Sequence, residues 1–518
     1  MQTLSPAGIE SREYQRAIAK SAEGANTLVV LPTGLGKTII ALLVAVDRLA
    51  KFPNSKVLIL APTRPLVLQH SNFFVEHYPD KSAKPIFLTG EVPPPTRASE
   101  FDEAKLIFAT PEVIRNDVAA GRYDLRNVSL IVFDEAHRCV RDCAYSDVAQ
   151  AYRTQAERPL ILGLTASPSA KKTRVQEICE KLAITNVETR TEKDPDVNEY
   201  VKEVEVNWER LPLPAGYKGV SKVLHAALDA RLNKLRMMHQ LPPANVRISR
   251  RMLLELGEKL HNSLRRGASG AIFGSVQLQS QAMSLMHAID LLETQGAYSA
   301  GRFLSKLDRA RTKSARGLAR DTQVIEAQKL AASLDSPHPK ELKLREIVTA
   351  DLKSNSRAKI IVFTQFRDTV EMIASKLNEI DRVQAVRFVG QATKSEEDMG
   401  LSQSEQMRIL EDFRDGKYNI LVTTSIGEEG LHVPDVDHVI FYEAVPSEIR
   451  MIQRRGRTGR TRPGKTTVLM TEGTVDEAYY WTSRKKEEQM HRYLATVKNK
   501  GVKNTRRKTT LLDYVSPP

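Results

Sequence analysis

Three short segments carry residue types and spacings suited to binding and cleaving a phosphoanhydride. The first is Leu31-Pro32-Thr33-Gly34-Leu35-Gly36-Lys37-Thr38. It follows an apolar run, Thr27 to Leu31, and opens a helical stretch, Ile39 to Leu49. That strand–loop–helix setting is what a phosphate-binding loop requires. Gly34 and Gly36 let backbone N–H groups approach phosphate oxygens closely, and the helix N-terminus adds its positive end. Lys37 can neutralise the β and γ phosphates of ATP, and the Thr38 hydroxyl can hold Mg2+. Leu31 stands where the strict pattern has Gly.

The second segment, Asp134-Glu135-Ala136-His137, directly follows the apolar run Leu130 to Phe133. A strand end brings these carboxylates to the mouth of a sheet, beside the first segment. There Asp134 can hold Mg2+ through water, and Glu135 can take a proton from an attacking water. The third segment is the basic run Gln453-Arg454-Arg455-Gly456-Arg457-Thr458-Gly459-Arg460. It reads either as a nucleic-acid patch or solvated face, or as a source of catalytic arginines. Three-residue spacing puts Arg457 and Arg460 on one face of a helix. Aimed across a cleft, they would stabilise charge on a transferring phosphoryl group. Coming from the other half of the chain, they would make hydrolysis depend on domain closure.

The elements that must position these residues fall into two similar series. Thr27 to Leu31, Lys56 to Leu60, Leu106 to Ala109, Leu130 to Phe133 and Leu160 to Leu164 read as buried strands alternating with helices. Lys359 to Phe363, Val383 to Phe388, Ile420 to Thr423, His438 to Tyr442 and Thr466 to Leu469 repeat the rhythm. The predicted fold class is α/β: two parallel-sheet domains with an all-helical insert between them. Leu224, Leu228, Leu232 and Leu235, then Met252, Leu253, Leu256 and Leu260, then Met283, Met286, Ile289 and Leu292 recur at helical spacing in that insert. Its methionines read as core filler. The expected division is 1–205, 206–345, 346–480 and a C-terminal helix with a basic flexible tail over 481–518. Leu211-Pro212-Leu213-Pro214 and Ser336-Pro337-His338-Pro339 read as linkers.

The 518 residues are 41% hydrophobic and 27% charged, which suits a globular protein with a sizeable core in each domain. A net charge of +14 fits a polyanionic partner, an acidic membrane surface or a surface that is simply Lys-rich. No apolar N-terminal segment and no run near the roughly 20 residues needed to cross a bilayer is present. A cytoplasmic location follows as the expectation. Cys139, Cys143 and Cys179 lack CxxC spacing. Free thiols are expected, with Cys139 and Cys143 able to share a helix face but too few for a structural zinc site.

With these motifs located, the order LPTGLGKT, APTRPLVLQH, TG, ATPEV, DEAH, TAS, FTQFR, TTSIGEEGLHVPDV and QRRGRTGR resembles superfamily 2 DEAH-box helicases with RecA-like motor domains, over about residues 8 to 470. More closely, it resembles the archaeal Hef and eukaryotic FANCM helicases, with RIG-I-like and Dicer helicases as the competing resemblance. The likeness implies that Gln15 reads the adenine ring and that Gln453 joins Lys37, Asp134, Glu135, Arg457 and Arg460 in ATP hydrolysis. His137 with Thr165, Ala166 and Ser167 would link the γ-phosphate to strand grip, and Gly427 and Glu429 would contact nucleotide and strand. Pro62, Thr63, Arg64, Thr89, Gly90, Thr110, Gln365 and Thr424 would touch phosphates of the nucleic acid. His432 stands where the family usually has Asp, so either the ribose-side contact is altered there or the substitution has little consequence.

The resemblance further implies a monomeric, nucleoid-associated helicase or translocase that unwinds or remodels forks and Holliday junctions in DNA repair. The insert would either hold a duplex arm through residues such as Arg247, Arg250, Arg251, Arg265, Arg266, Arg302, Arg309, Arg311 and Lys313, or only pack on the motor domains. The alternative is an RNA-dependent ATPase. Lys508 to Val515 resembles a weak sliding-clamp peptide with Leu511 and Tyr514 as its apolar contacts, or is a plain apolar stub. No ERK-type motif precedes Pro518, so no nuclease activity is expected.

Overall fold

In the computed structural model, the described residues are 8–80, 83–169, 171–192, 194–200, 204–266, 270–392, 400–424, 434–445 and 464–500. Seven strands form the first sheet: β1 (Thr27–Val30), β2 (Lys56–Leu60), β3 (Ile86–Leu88), β4 (Leu106–Ala109), β5 (Val128–Phe133), β6 (Ile161–Thr165) and β7 (Asn186–Thr189). All pairings are parallel, in the order β3-β4-β2-β5-β6-β1-β7. Every residue of β1, β4, β5 and β6 is buried, because helices cover both faces of a parallel sheet. The sequence reading lacked β3 and β7. β3 has three residues, and β7 is an edge strand whose burial alternates.

The second sheet contains β8 (Val204–Leu211), β9 (Ile360–Phe363), β10 (Ala385–Phe388), β11 (Ile420–Thr423), β12 (His438–Phe441) and β13 (Gly464–Thr471), in the order β10-β11-β9-β12-β13-β8. β8 pairs with β13 along its whole length, from Val204↔Gly464 to Leu211↔Thr471. Residues around the expected 205/206 division therefore enter the second sheet before the helical unit begins at Ala215. Val204-Glu205-Val206-Asn207-Trp208-Glu209 alternates in polarity, as an edge strand does.

The helical unit packs Leu224, Leu228, Leu232 and Leu235 of helix Ala215–Met237 against Leu253, Leu256 and Leu260 of helix Arg250–Arg265 and Ile289 and Leu292 of helix Gly270–Thr294. Met283 and Met286 line this core. The segment Ser336 to Pro339 is not a free linker. His338 is buried, its Nε2 donates to the Glu293 carbonyl at 3.1 Å, and its Nδ1 accepts from the Lys340 N–H at 3.3 Å. Burial pushes the His338 imidazole down to about 3, so it stays neutral.

The last helix, Val475–Lys500, starts against the second sheet, where the Tyr480 and Trp208 rings lie 4.0 Å apart. It ends on the first lobe, where Met490 and Leu494 are buried in the core beneath the sheet. Cys139 follows a short turn of 3-10 helix and Cys143 precedes helix Ala144–Gln155, so they do not share a helix face. Both thiols are free, and no cluster of three or more metal-ligating residue types occurs among the described residues. No described helix is long and apolar enough to cross a membrane.

Candidate nucleotide site and nucleic-acid path

The carboxyl edge of the first sheet is divided between two sets of residues. Loops after β1, β5 and β6, which are neighbours in the sheet, carry the nucleotide candidates. Loops after β3, β4 and β2, also neighbours, carry the strand-contact candidates.

On the nucleotide half, Gly36 caps helix Lys37–Lys51 in the left-handed region, φ 82°. A Cβ there would collide with the Gln15 amide. Gln15 is buried; its Nε2 donates to the Leu35 carbonyl at 3.1 Å and its Oε1 accepts from the Arg12 N–H at 2.9 Å. Tyr14 adds an O–H bond to the same Leu35 carbonyl at 2.7 Å. The residue expected to read adenine thus also braces the phosphate loop. Lys37 Nζ donates to the Leu31 carbonyl at 3.0 Å, folded back over the loop. Thr38 lies in the first turn of the helix, and Pro32 and Thr33 are half-buried above β1.

The Asp134 carboxylate is buried and accepts from His70 Nε2 at 2.8 Å. Burial alone would push its carboxyl up. His70, by charge and hydrogen bond, and then Lys37 outweigh that and hold it below the usual carboxylate range. Glu135 adopts a left-handed backbone, φ 50°, a strained conformation for a residue other than glycine. Its buried Oε2 has no aligned hydrogen-bond donor among the described residues, although His137 Nδ1 is 3.2 Å away. The same His137 nitrogen lies 3.2 Å from Thr165 Oγ1, which accepts from the Ser167 N–H at 3.2 Å. Ala166 and Ser167 are buried beside them. A buried ionised carboxylate, a hydroxyl in the first helical turn and an orphaned carboxylate oxygen suit a hydrated Mg2+ ion.

On the other half, Pro62, Thr63, Arg64, Gly90 and Thr110 line one shallow depression with Glu91. Arg64 pairs with Glu91, and Thr89 is buried beneath. The second lobe repeats the placement. Gln365 follows β9 and Thr424 follows β11, adjacent strands. Gln365 shares a pocket with Arg250, His287, Gln295 and Glu443. Gln295 of the insert bridges the lobe, accepting from Thr364 Oγ1 and donating to Glu443 Oε2, each at 3.2 Å. Gly427, Glu429, His432, Gln453, Arg457, Arg460, Leu511 and Tyr514 lie outside the described residues.

Among the insert's basic residues, Arg302 is committed to a seam with the second lobe, 3.5 Å from Asp368 and 3.4 Å from Glu371. Arg250 pairs with Asp290 and Arg251 with Glu255. Arg247, Arg265, Arg266, Arg309, Arg311 and Lys313 are exposed. His70, the partner of Asp134, was missing from the predicted site. Its one signal is a polar ring on the buried face of helix Arg64–His77, among Val67, Ser71 and Phe74.

The chain matches three family profiles in succession: "DEAD/DEAH box helicase" over residues 12–175, "Putative ATP-dependent RNA helicase, helical bundle" over 216–335, and "Helicase conserved C-terminal domain" over 340–462. The crystal structure of the Hef helicase domain of Pyrococcus furiosus superposes with a TM-score of 0.70 at 43% identity, covering 91% of this chain and 98% of that one. The chain belongs to the FANCM-like superfamily 2 helicases. That family is one of ATP-dependent helicases. A relative in Methanocaldococcus jannaschii, named "Putative ATP-dependent RNA helicase", is 42% identical over 491 residues, 95% of this chain and 61% of the relative. The ATP-dependent DNA helicase mph1 of Neurospora crassa is 33% identical over 491 residues, 90% of this chain and 41% of the relative. The chain thus spans less than two thirds of these relatives' own length.

Proposed function

We propose that this FANCM-like helicase is an ATP-driven translocase that remodels branched DNA, such as forks and Holliday junctions, in repair. It would work as a monomer in the cytoplasm at the nucleoid. Lys37 and the loop N–H groups would hold the triphosphate, and Thr38 and Asp134 would hold Mg2+, which supplies charge neutralisation when bound. Glu135 takes the proton of the attacking water. Gln453, Arg457 and Arg460 complete the site from the second lobe on closure. His137 with Thr165, Ala166 and Ser167 passes the γ-phosphate state to the strand side, and Gly427 and Glu429 join nucleotide to strand. Pro62, Thr63, Arg64, Thr89, Gly90, Thr110, Gln365 and Thr424 grip backbone phosphates, which carry little sequence information.

The observation that supports this reading is the divided carboxyl edge of the first sheet, with the candidate nucleotide residues in loops after the neighbouring strands β5, β6 and β1 and the candidate strand-contact residues in loops after β3, β4 and β2. Comparing ATPase stimulation by single-stranded DNA, forked DNA and duplex RNA tests it. Forked DNA should stimulate most, and Glu135→Gln should abolish turnover while retaining ATP. Preference for duplex RNA would instead favour the second reading, an RNA-dependent ATPase, which the name of the M. jannaschii relative supports. The peptide around Leu511 and Tyr514 is proposed to engage a sliding clamp. A clamp pull-down unchanged by deleting residues 508–518 would reject that.

A further inference from the structure

Asp134 is held at two points by one continuous unit, strand β2 with the helix that follows it. Its N–H donates to the carbonyl of Leu60, the last residue of β2, at 2.9 Å. Its carboxylate accepts from His70 on helix Arg64–His77 at 2.8 Å. Between those two points in the chain lies the loop Pro62-Thr63-Arg64, which lines the depression on the strand side. A carboxylate can only accept, so His70 Nε2 carries the shared proton.

The ring is 6% exposed, and its Nδ1 has no hydrogen-bond partner among the described residues. Burying an imidazole with one nitrogen unpaired is unfavourable, and an apolar residue would fill this face of the helix better. The contact with Asp134 is what the ring gains there. Tyr145, whose O–H reaches the Asp134 carbonyl at 2.6 Å, fixes the backbone from the opposite side. The carboxylate's orientation then follows helix Arg64–His77.

We infer that His70 is a positioning residue that transmits strand contact at Pro62–Arg64 to the Mg2+-facing carboxylate of Asp134. The inference rests on the proposed roles of that loop and of Asp134. When phosphate contact shifts the loop, the helix carries the imidazole with it and re-aims the carboxylate. In the strand-free structure the carboxylate is already held by His70 at 2.8 Å, and strand contact would re-aim it from that position.

The test uses the full chain and two variants. His70→Leu keeps the bulk and removes the donor. His70→Gln places an amide N–H near the position of Nε2. Binding of a fluorescent ATP analogue is titrated with Mg2+, with and without single-stranded DNA, beside the ATPase stimulation ratio and DNA affinity without nucleotide. His70→Leu should raise half-saturating Mg2+ in the DNA-bound state by about 10-fold, as loss of an outer-shell partner does. It should also remove most of the DNA stimulation and leave nucleotide-free DNA affinity within about 2-fold. His70→Gln should restore both values. Unchanged Mg2+ dependence in His70→Leu, or a His70→Gln variant as impaired as His70→Leu, overturns the inference. Asp134→Asn separates the layers. If it leaves Mg2+ dependence intact, the assignment of Asp134 itself fails. If it abolishes Mg2+ dependence while His70→Leu does nothing, only the coupling fails.

Discussion

Lys340 donates to Asp476 across a fully buried junction, Nζ to Oδ2 at 2.5 Å, with side-chain exposures of 0% and 1%. Lys340 also donates to the Thr294 carbonyl at 3.0 Å. One ammonium thus ties together the end of the long insert helix, the helix Pro339–Ser354 and the start of the last helix. Burial pushes the Asp476 carboxyl up, against the pull of Lys340. Removing the cation leaves a buried carboxyl without its partner. Lys340→Met should cost about 3–5 kcal/mol, read as a fall in the thermal midpoint. Lys340→Met with Asp476→Asn should recover most of it, because Asn still accepts from the Thr471 N–H.

Asp290 lies 3.2 Å from Arg250, yet burial pushes its carboxyl from 3.8 up to about 6. A carboxyl whose folded pKa exceeds its unfolded one favours the native state most below the unfolded value. That contribution is lost as pH rises through the folded value. Between about pH 4 and 6 the wild type should lose roughly 3 kcal/mol through this group. Urea midpoints across that window should show a shallower decline in Asp290→Asn.

Gly36→Ala should impair ATP binding directly. The substitution places a Cβ at φ 82° and against the Gln15 amide. The backbone cost alone is about 1–2 kcal/mol. Apparent KM for ATP should rise at least about 10-fold, and Gln15→Ala in the same chain should not restore it, because the left-handed strain remains.

Exposed and committed arginines of the insert should behave differently toward DNA. Replacing Arg265 and Arg266 together should lower the slope of log affinity against log salt by about 2. Arg302→Ala should leave that slope unchanged and lower the thermal midpoint instead, since its guanidinium spans to Asp368 and Glu371 of the second lobe.

Features set by neighbouring residues were legible in the chain itself. The phosphate loop needs a glycine at a left-handed cap, an apolar strand before it and a helix after it, all within a few residues of Gly36. The buried strands and the leucine stripes of the insert follow from periodicity, which is also local. The tertiary structure decided what depends on which elements become neighbours. β8 crosses to the far sheet, His338 is seated under the insert, and the last helix returns to the first lobe. His70 and Asp134, 64 residues apart, meet because β2 and β5 pair. A buried polar contact is worth making only when its partner arrives from elsewhere in the chain, and local sequence carries no record of that arrival beyond a polar residue on an apolar face.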